Sequence, residues 1–163
     1  MVINMWERTY KVLEEYIVEV MKRYQDELIR DNKIATGNLL NNINYVIEKN
    51  DTQIWVGLKL EDYWKYVEYG REPGRFPPVD KIREWIMAKP ILPNADSRGK
   101  LPTPEQLVFL VGRKIALEGI EAGNQLTRTL KEFNQLYEER IIQAVSDDID
   151  NELDIILTEY ISK

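Results

Sequence analysis

Between Met5 and Ile29, apolar side chains fall at Trp6, Tyr10, Leu13, Ile17, Val20, Tyr24 and Leu28, three or four residues apart, with Glu, Lys and Arg filling the intervals. That period puts them on one face of a helix of about seven turns. Asp31-Asn32-Lys33 breaks the stripe, and Thr36 reads as the N-cap of a short turn through Asn38-Leu39-Leu40. The period then changes to two. Ile43, Tyr45 and Ile47 alternate with polar or less buried positions, and Ile54, Val56 and Leu58 do the same after the turn-prone pair Asn50-Asp51. A two-stranded antiparallel hairpin is predicted.

After the hairpin, Glu61-Asp62 suits a helix N-terminus, and the short helix carrying Tyr63, Tyr66 and Val67 stops at Gly70, a C-terminal glycine. Pro77 and Pro78 exclude helix from the next corner, and Val79 to Lys89 is predicted helical, burying Ile82, Trp85 and Ile86. Residues 89–104 hold Pro90, Pro93, Gly99, Pro102 and Pro104 and read as an extended loop or arm, expected to be ordered only against a neighbouring subunit. Thr103 is the predicted N-cap, with Pro104 at the first position, of a helix over 105–118 whose stripe runs Leu107, Leu110, Val111, Lys114 and Ile115. Gly119 and Gly123 interrupt it.

A final helix is predicted over 127–161, striped by Leu130, Phe133, Tyr137, Ile141, Val145, Ile149, Leu153, Ile156 and Tyr160. It would reach roughly 50 Å at 1.5 Å per residue, longer than a domain of this size is wide, so part of it is expected to pack on another chain. The acidic run Asp147, Asp148, Asp150, Glu152 and Asp154 offers an alternative, ending the helix early to give two shorter ones. Together these elements predict an α+β fold: long N- and C-terminal helices around a small antiparallel hairpin, with short helices and a long Pro-rich arm. At 163 residues, one domain over 1–163 is the default.

Composition narrows the chemistry. Hydrophobic residues at 44% and charged ones at 31% are ordinary for a soluble globular chain. No apolar run approaches the ~20 residues of a membrane span, and no secretory signal pattern opens the sequence. With no Cys and no His, disulfides, thiolate chemistry, Ser-His and Cys-His triads and most zinc sites are excluded. The net charge of −6 is unevenly spread: residues 71–114 are +4, between flanks of −3 and −7. A locally basic segment in an acidic chain suits phosphate, an acidic neighbour, or self-association by charge complementarity.

Three carboxylates, Glu68, Asp80 and Glu84, flank the corner and could serve a metal-dependent nuclease or hydrolase. The simpler reading places them on solvated helix faces beside Lys65, Lys81 or Arg83. Gly70 and Gly74 lack phosphate-loop spacing. Arg71, Arg75, Arg98 and Lys100 lie in Pro/Gly-rich segments that should be exposed, either as plain surface charge or as basic loops facing DNA or an acidic ring. Trp55, Trp64, Tyr66, Tyr69 and Trp85 suit core and subunit contacts better than a base-stacking platform.

Four segments in fixed order carry a resemblance: Thr36-Gly37-Asn38-Leu39, Tyr66-Val67-Glu68-Tyr69-Gly70, the helix bearing Trp85, and Gly119-Ile120-Glu121-Ala122. In this order and spacing the chain resembles the head-tail joining (tail-completion or neck) proteins of tailed bacteriophages. It departs from them at Leu40-Asn41-Asn42 and in the length of its last helix. The resemblance implies a structural virion protein with no catalytic step, cofactor or metal. It further implies assembly in the host cytoplasm as a homo-oligomeric ring, six- or twelve-fold, joining the tail to the DNA-filled capsid. Its partners would be neighbouring neck, portal-adaptor or tail-tube proteins, with non-specific contact to DNA in the channel and none to membrane. The interface or DNA-facing loop would comprise Tyr66, Glu68, Tyr69, Arg71, Arg75, Arg98 and Lys100, on a frame of Thr36, Gly37, Leu39, Gly70, Trp85 and Gly119. A cellular regulatory binding module is the remaining alternative.

Overall fold

The computed structural model describes residues 6–33, 37–50, 53–89, 93–95 and 97–161. The fold is α+β. Its elements are α1 (Glu7–Arg30), α2 (Asn38–Asn41), β1 (Asn44–Lys49), β2 (Ile54–Lys59), α3 (Trp64–Tyr69), α4 (Val79–Ala88), α5 (Pro104–Glu118) and α6 (Gln125–Ile161). The chain divides into two compact units, each discontinuous in sequence: one from residues 1–26, 43–59 and 126–163, the other from 27–42 and 60–125.

The first unit is a helix pair covered by the hairpin. Thr9 meets Asp148, Glu15 meets Arg140 and Tyr16 meets Asn134, so α1 and α6 run antiparallel. Ile17, Val20, Phe133 and Tyr137 form the buried core, and Ile47, Val56 and Leu58 from the hairpin pack on it. Those three residues lie on one side of the predicted alternation. Ile47 pairs with Val56 and Tyr45 with Leu58, which sets that face toward the core. Asn50 closes the hairpin with two bonds to Gln53, its amide donating to the Gln53 carbonyl and its side-chain oxygen accepting from the Gln53 amide at 2.9 Å. Asp51 lies outside the described residues.

Around the core, Tyr16 and Tyr137 meet edge to face at 5.5 Å, and the Arg140 guanidinium sits 4.6 Å above the Tyr137 ring while pairing with Glu15. Burial, reinforced by the Glu19 carboxylate, holds the Tyr137 phenol above its ordinary pKa, and burial does the same for Tyr16. Asp148 reaches from α6 to the start of α1, accepting from the Thr9 amide at 2.8 Å and the Arg8 amide at 3.2 Å. Those first-turn donors have no partner within their own helix, so a carboxylate from a distant part of the chain caps it.

The second unit packs α4 against α5. Ile82 and Val108 are buried there, and Gly112 lets the helices close: a Cβ on Gly112 would lie 2.8 Å from Ile82 Cδ1 and 2.2 Å from Phe76 Cζ. The α5 N-terminus is the capping box expected at Thr103, whose hydroxyl accepts from the Gln106 amide while the Thr103 amide donates to Gln106 Oε1 at 2.9 Å. Helix α1 ends where Asp31-Asn32-Lys33 breaks the stripe. Asn32 takes a φ of 51° and the Lys33 amide donates to the Leu28 carbonyl, a Schellman closure.

Several expectations are corrected. Trp85 is exposed on α4, not buried beside Ile82, because the helix turns only Ile82 fully inward. The inner face of α5 carries Val108 and Gly112, while Leu110 and Lys114 face outward. The face is rotated because a small residue was needed where α4 approaches, which apolarity alone does not signal. Glu61 and Asp62 precede α3 without capping it, and Glu61 instead accepts from the Asn42 side chain at 2.6 Å. The acidic run does not break the last helix, which continues for 37 residues.

Candidate functional site

Two of the segments that carry the resemblance, distant in sequence, meet in the second unit. Arg71 and Ile120 exchange both backbone hydrogen bonds at 2.8 Å, an antiparallel bridge. The Gly74 amide donates to the Ala116 carbonyl on one side of it, and on the other the Gly123 and Asn124 amides donate to the carbonyls of Val67 and Glu68. The end of α3 is thereby clasped to the stretch between α5 and α6.

The clasp depends on missing side chains. Gly70 has a φ of 69° and a Cβ there would sit 2.2 Å from the Ile120 carbonyl oxygen; Gly119 has a φ of 78° and a Cβ there would sit 2.2 Å from the Arg71 carbonyl oxygen. The obstacle in both cases is backbone, which cannot rotate away, and the positive φ independently favours glycine. Each glycine thus makes room for the other's segment. Reading them separately as helix stops was correct for each, Gly70 at the end of α3 and Gly119 at the end of α5. The meeting of their two segments had no signal in the sequence beyond the pair of glycines.

Around the clasp the candidate residues separate into two groups. Tyr66 and Tyr69 point outward from α3, 57% and 63% exposed, and Arg75, Arg98 and Lys100 are exposed. Trp64 packs its ring 5.7 Å from Tyr69, steadying that side chain at the surface. The others turn inward. Arg71 is half-buried and its guanidinium donates to the Arg75 carbonyl, holding the Pro/Gly corner. Glu68 is fully buried, which corrects the solvated-face reading: its position on the inner side of a two-turn helix is fixed by the clasp that anchors its own carbonyl.

Among the frame residues, Leu39 is buried, and Gly37 with a φ of 78° occupies the N-cap position of α2. Thr36, the expected cap, lies outside the described residues. Trp85 lies exposed on α4. Asp80 and Glu84 sit on the outer face of α4, paired with Arg83 and Lys81 at 3.0 Å each. They do not join Glu68: among the described residues no group of three acidic side chains is placed to hold a metal. No helix among the described residues is long and apolar enough to cross a membrane. An open depression at the hairpin turn, lined by Glu48, Lys49, Asn50, Gln53 and Trp55, gathers no set of groups suited to acid-base or nucleophilic work.

Comparison with protein-family models, with curated proteins and with solved structures finds no match to this chain.

Proposed function

We propose that this protein is a structural component of a tailed-bacteriophage head-tail junction, acting by shape as one protomer of a ring. The observation that carries the reading is the clasp. The Tyr66–Gly70 and Gly119–Ala122 segments, on which the resemblance rests, form one rigid corner that presents Tyr66 and Tyr69 outward. Aromatic side chains on a stiff backbone are what a protein interface uses, since they supply contact area at little cost in conformational freedom. In the ring, this corner would meet the neighbouring protomer, and the exposed Arg75, Arg98 and Lys100 would face an acidic neighbouring ring or the DNA phosphates.

Electron microscopy of the purified protein over a range of concentrations tests this. Closed rings of a single copy number are expected, and Tyr66→Ser combined with Tyr69→Ser should abolish them while leaving the circular dichroism unchanged. A chain that stays monomeric at millimolar concentration would overturn the reading. Hydrolysis of DNA with magnesium or manganese, lost in Glu68→Gln, would replace it with a nuclease.

A further inference from the structure

Helix α6 changes character at Asp148. Up to that point it buries Thr129, Phe133, Tyr137, Ala144 and Asp148 in the first unit; beyond it, from Ile149 to Ile161, the helix runs on for about 20 Å at 1.5 Å per residue. This extension is not a polar tail. Ile149, Leu153, Ile156 and Tyr160 follow one another at spacings of four, three and four, and their exposures rise from 44% to 82%. Spacing of that kind makes an apolar seam of the sort one helix offers another. On either side of the seam stand carboxylates, Asp150 along one edge with Asp154 one turn on and farther round behind it, and the half-buried Glu152 with Glu159 along the other. No Lys or Arg occurs between Arg140 and Lys163.

The charge pattern restricts what can cover the seam. Two copies of the extension packed on each other would bring carboxylate against carboxylate along both edges, which is repulsive. The partner must therefore present apolar side chains together with cations. One surface of this same protein does so. The outer face of α5 exposes Phe109, Leu110 and Leu117, with Arg113 between them on the same face. Among the described residues Arg113 makes no hydrogen bond or ion pair, and Lys114 beside it holds Glu118 at a loose 3.7 Å. Residues 71–114, which end in this helix, carry the net charge of +4.

We infer that the Ile149–Ile161 extension of one protomer docks on the outer face of α5 of a second copy, seating Leu153 and Ile156 against Leu110 and Leu117 and setting Asp150 and Asp154 against Arg113. The contact is heterologous, head to tail, because the two surfaces differ. Each protomer keeps one of each free for the next, the condition for a ring or an open chain. The inference rests on the self-assembling part of the proposed function, and not on a place in a virion.

The absence of cysteine makes a clean test available. Leu153→Cys and Leu110→Cys are made in separate, differently tagged full-length chains, mixed, and oxidised. A disulfide joining the two variants in preference to either with itself is expected. Arg113→Glu should weaken association at least tenfold by sedimentation velocity, and mixing it with Asp150→Lys/Asp154→Lys should restore much of that loss. Rings that form without this cross-link would leave the proposed function standing and overturn the docking. Predominant Leu153→Cys self-linkage would replace it with a two-fold contact. A protein that never self-associates would remove both.

Discussion

Inside each unit the packing works by opposite means. In the first, large side chains fill the space between α1, α6 and the hairpin, with Val20 and Tyr137 almost wholly enclosed. In the second, closure at the corner depends on side chains that are absent: Gly70 and Gly119 let two backbones hydrogen-bond where any Cβ would collide, and Gly112 leaves room on α5 for the Phe76 ring and the Ile82 side chain. A side-chain core tolerates change in proportion to the volume lost, because neighbours can partly relax. A backbone clasp has no such slack. The atoms nearest Gly70 and Gly119 are the Ile120 and Arg71 carbonyl oxygens, both already committed to the bridge's hydrogen bonds, so an added methyl must break it.

The comparison can be broken most severely in the first unit. Tyr137→Ala removes a fully buried ring that packs on Phe133 and Tyr16, and should cost about 4 kcal/mol, read as a fall in the denaturant midpoint. Gly70→Ala or Gly119→Ala should cost about 3 kcal/mol, through the left-handed backbone and the collision together. Gly74→Ala provides the control: its φ is also positive, at 145°, but a Cβ there meets nothing, so about 1 kcal/mol is expected. Equal losses at Gly70 and Gly74 would show that conformation alone, without the close approach, explains the glycines.

A smaller effect, about 1–2 kcal/mol, is expected of Asp148→Ala, which uncaps α1. Amide exchange should accelerate at Thr9 before it does in the middle of the helix. The smallest effect is alkaline. The Tyr137 phenol is held protonated above its ordinary value of 10.0, so the folded state keeps a proton that the unfolded chain releases. The stability this lends is fully present below that pH and is lost as pH rises past it. Tyr137→Phe should flatten the decline above pH 10 relative to wild type, leaving the part due to Tyr16.

Much of the fold was legible where one physical rule acts locally. The alternation of Ile43 to Ile47 and Ile54 to Leu58 specified a hairpin because strand side chains alternate faces, and Thr103-Pro104 located the start of α5 because the chain's own side chains satisfy its first amides. The candidate site was half legible. Tyr66 and Tyr69, placed at an interface by the resemblance, are exposed on α3, but the burial of Glu68 was not foreseen, since a carboxylate gives no sequence sign of facing inward. Trp85 misled in the opposite sense, its size arguing for a burial that its position on α4 denies.

The amino-acid sequence by itself determined the helices, the hairpin, the glycine breaks and the segregation of charge, because each depends on neighbours within a few residues along the chain. Only the tertiary structure decided that Gly70 lies against Ile120–Ala122 and Gly119 against Arg71–Pro73, that Asp148 caps a helix 139 residues away, and that no residue of α6 beyond Asp148 is fully buried. Those facts concern which distant surfaces come within a few ångströms. The helical period repeats unchanged through Ile149, Leu153 and Ile156 whether or not anything lies against them, so periodicity marks a seam without naming what closes it.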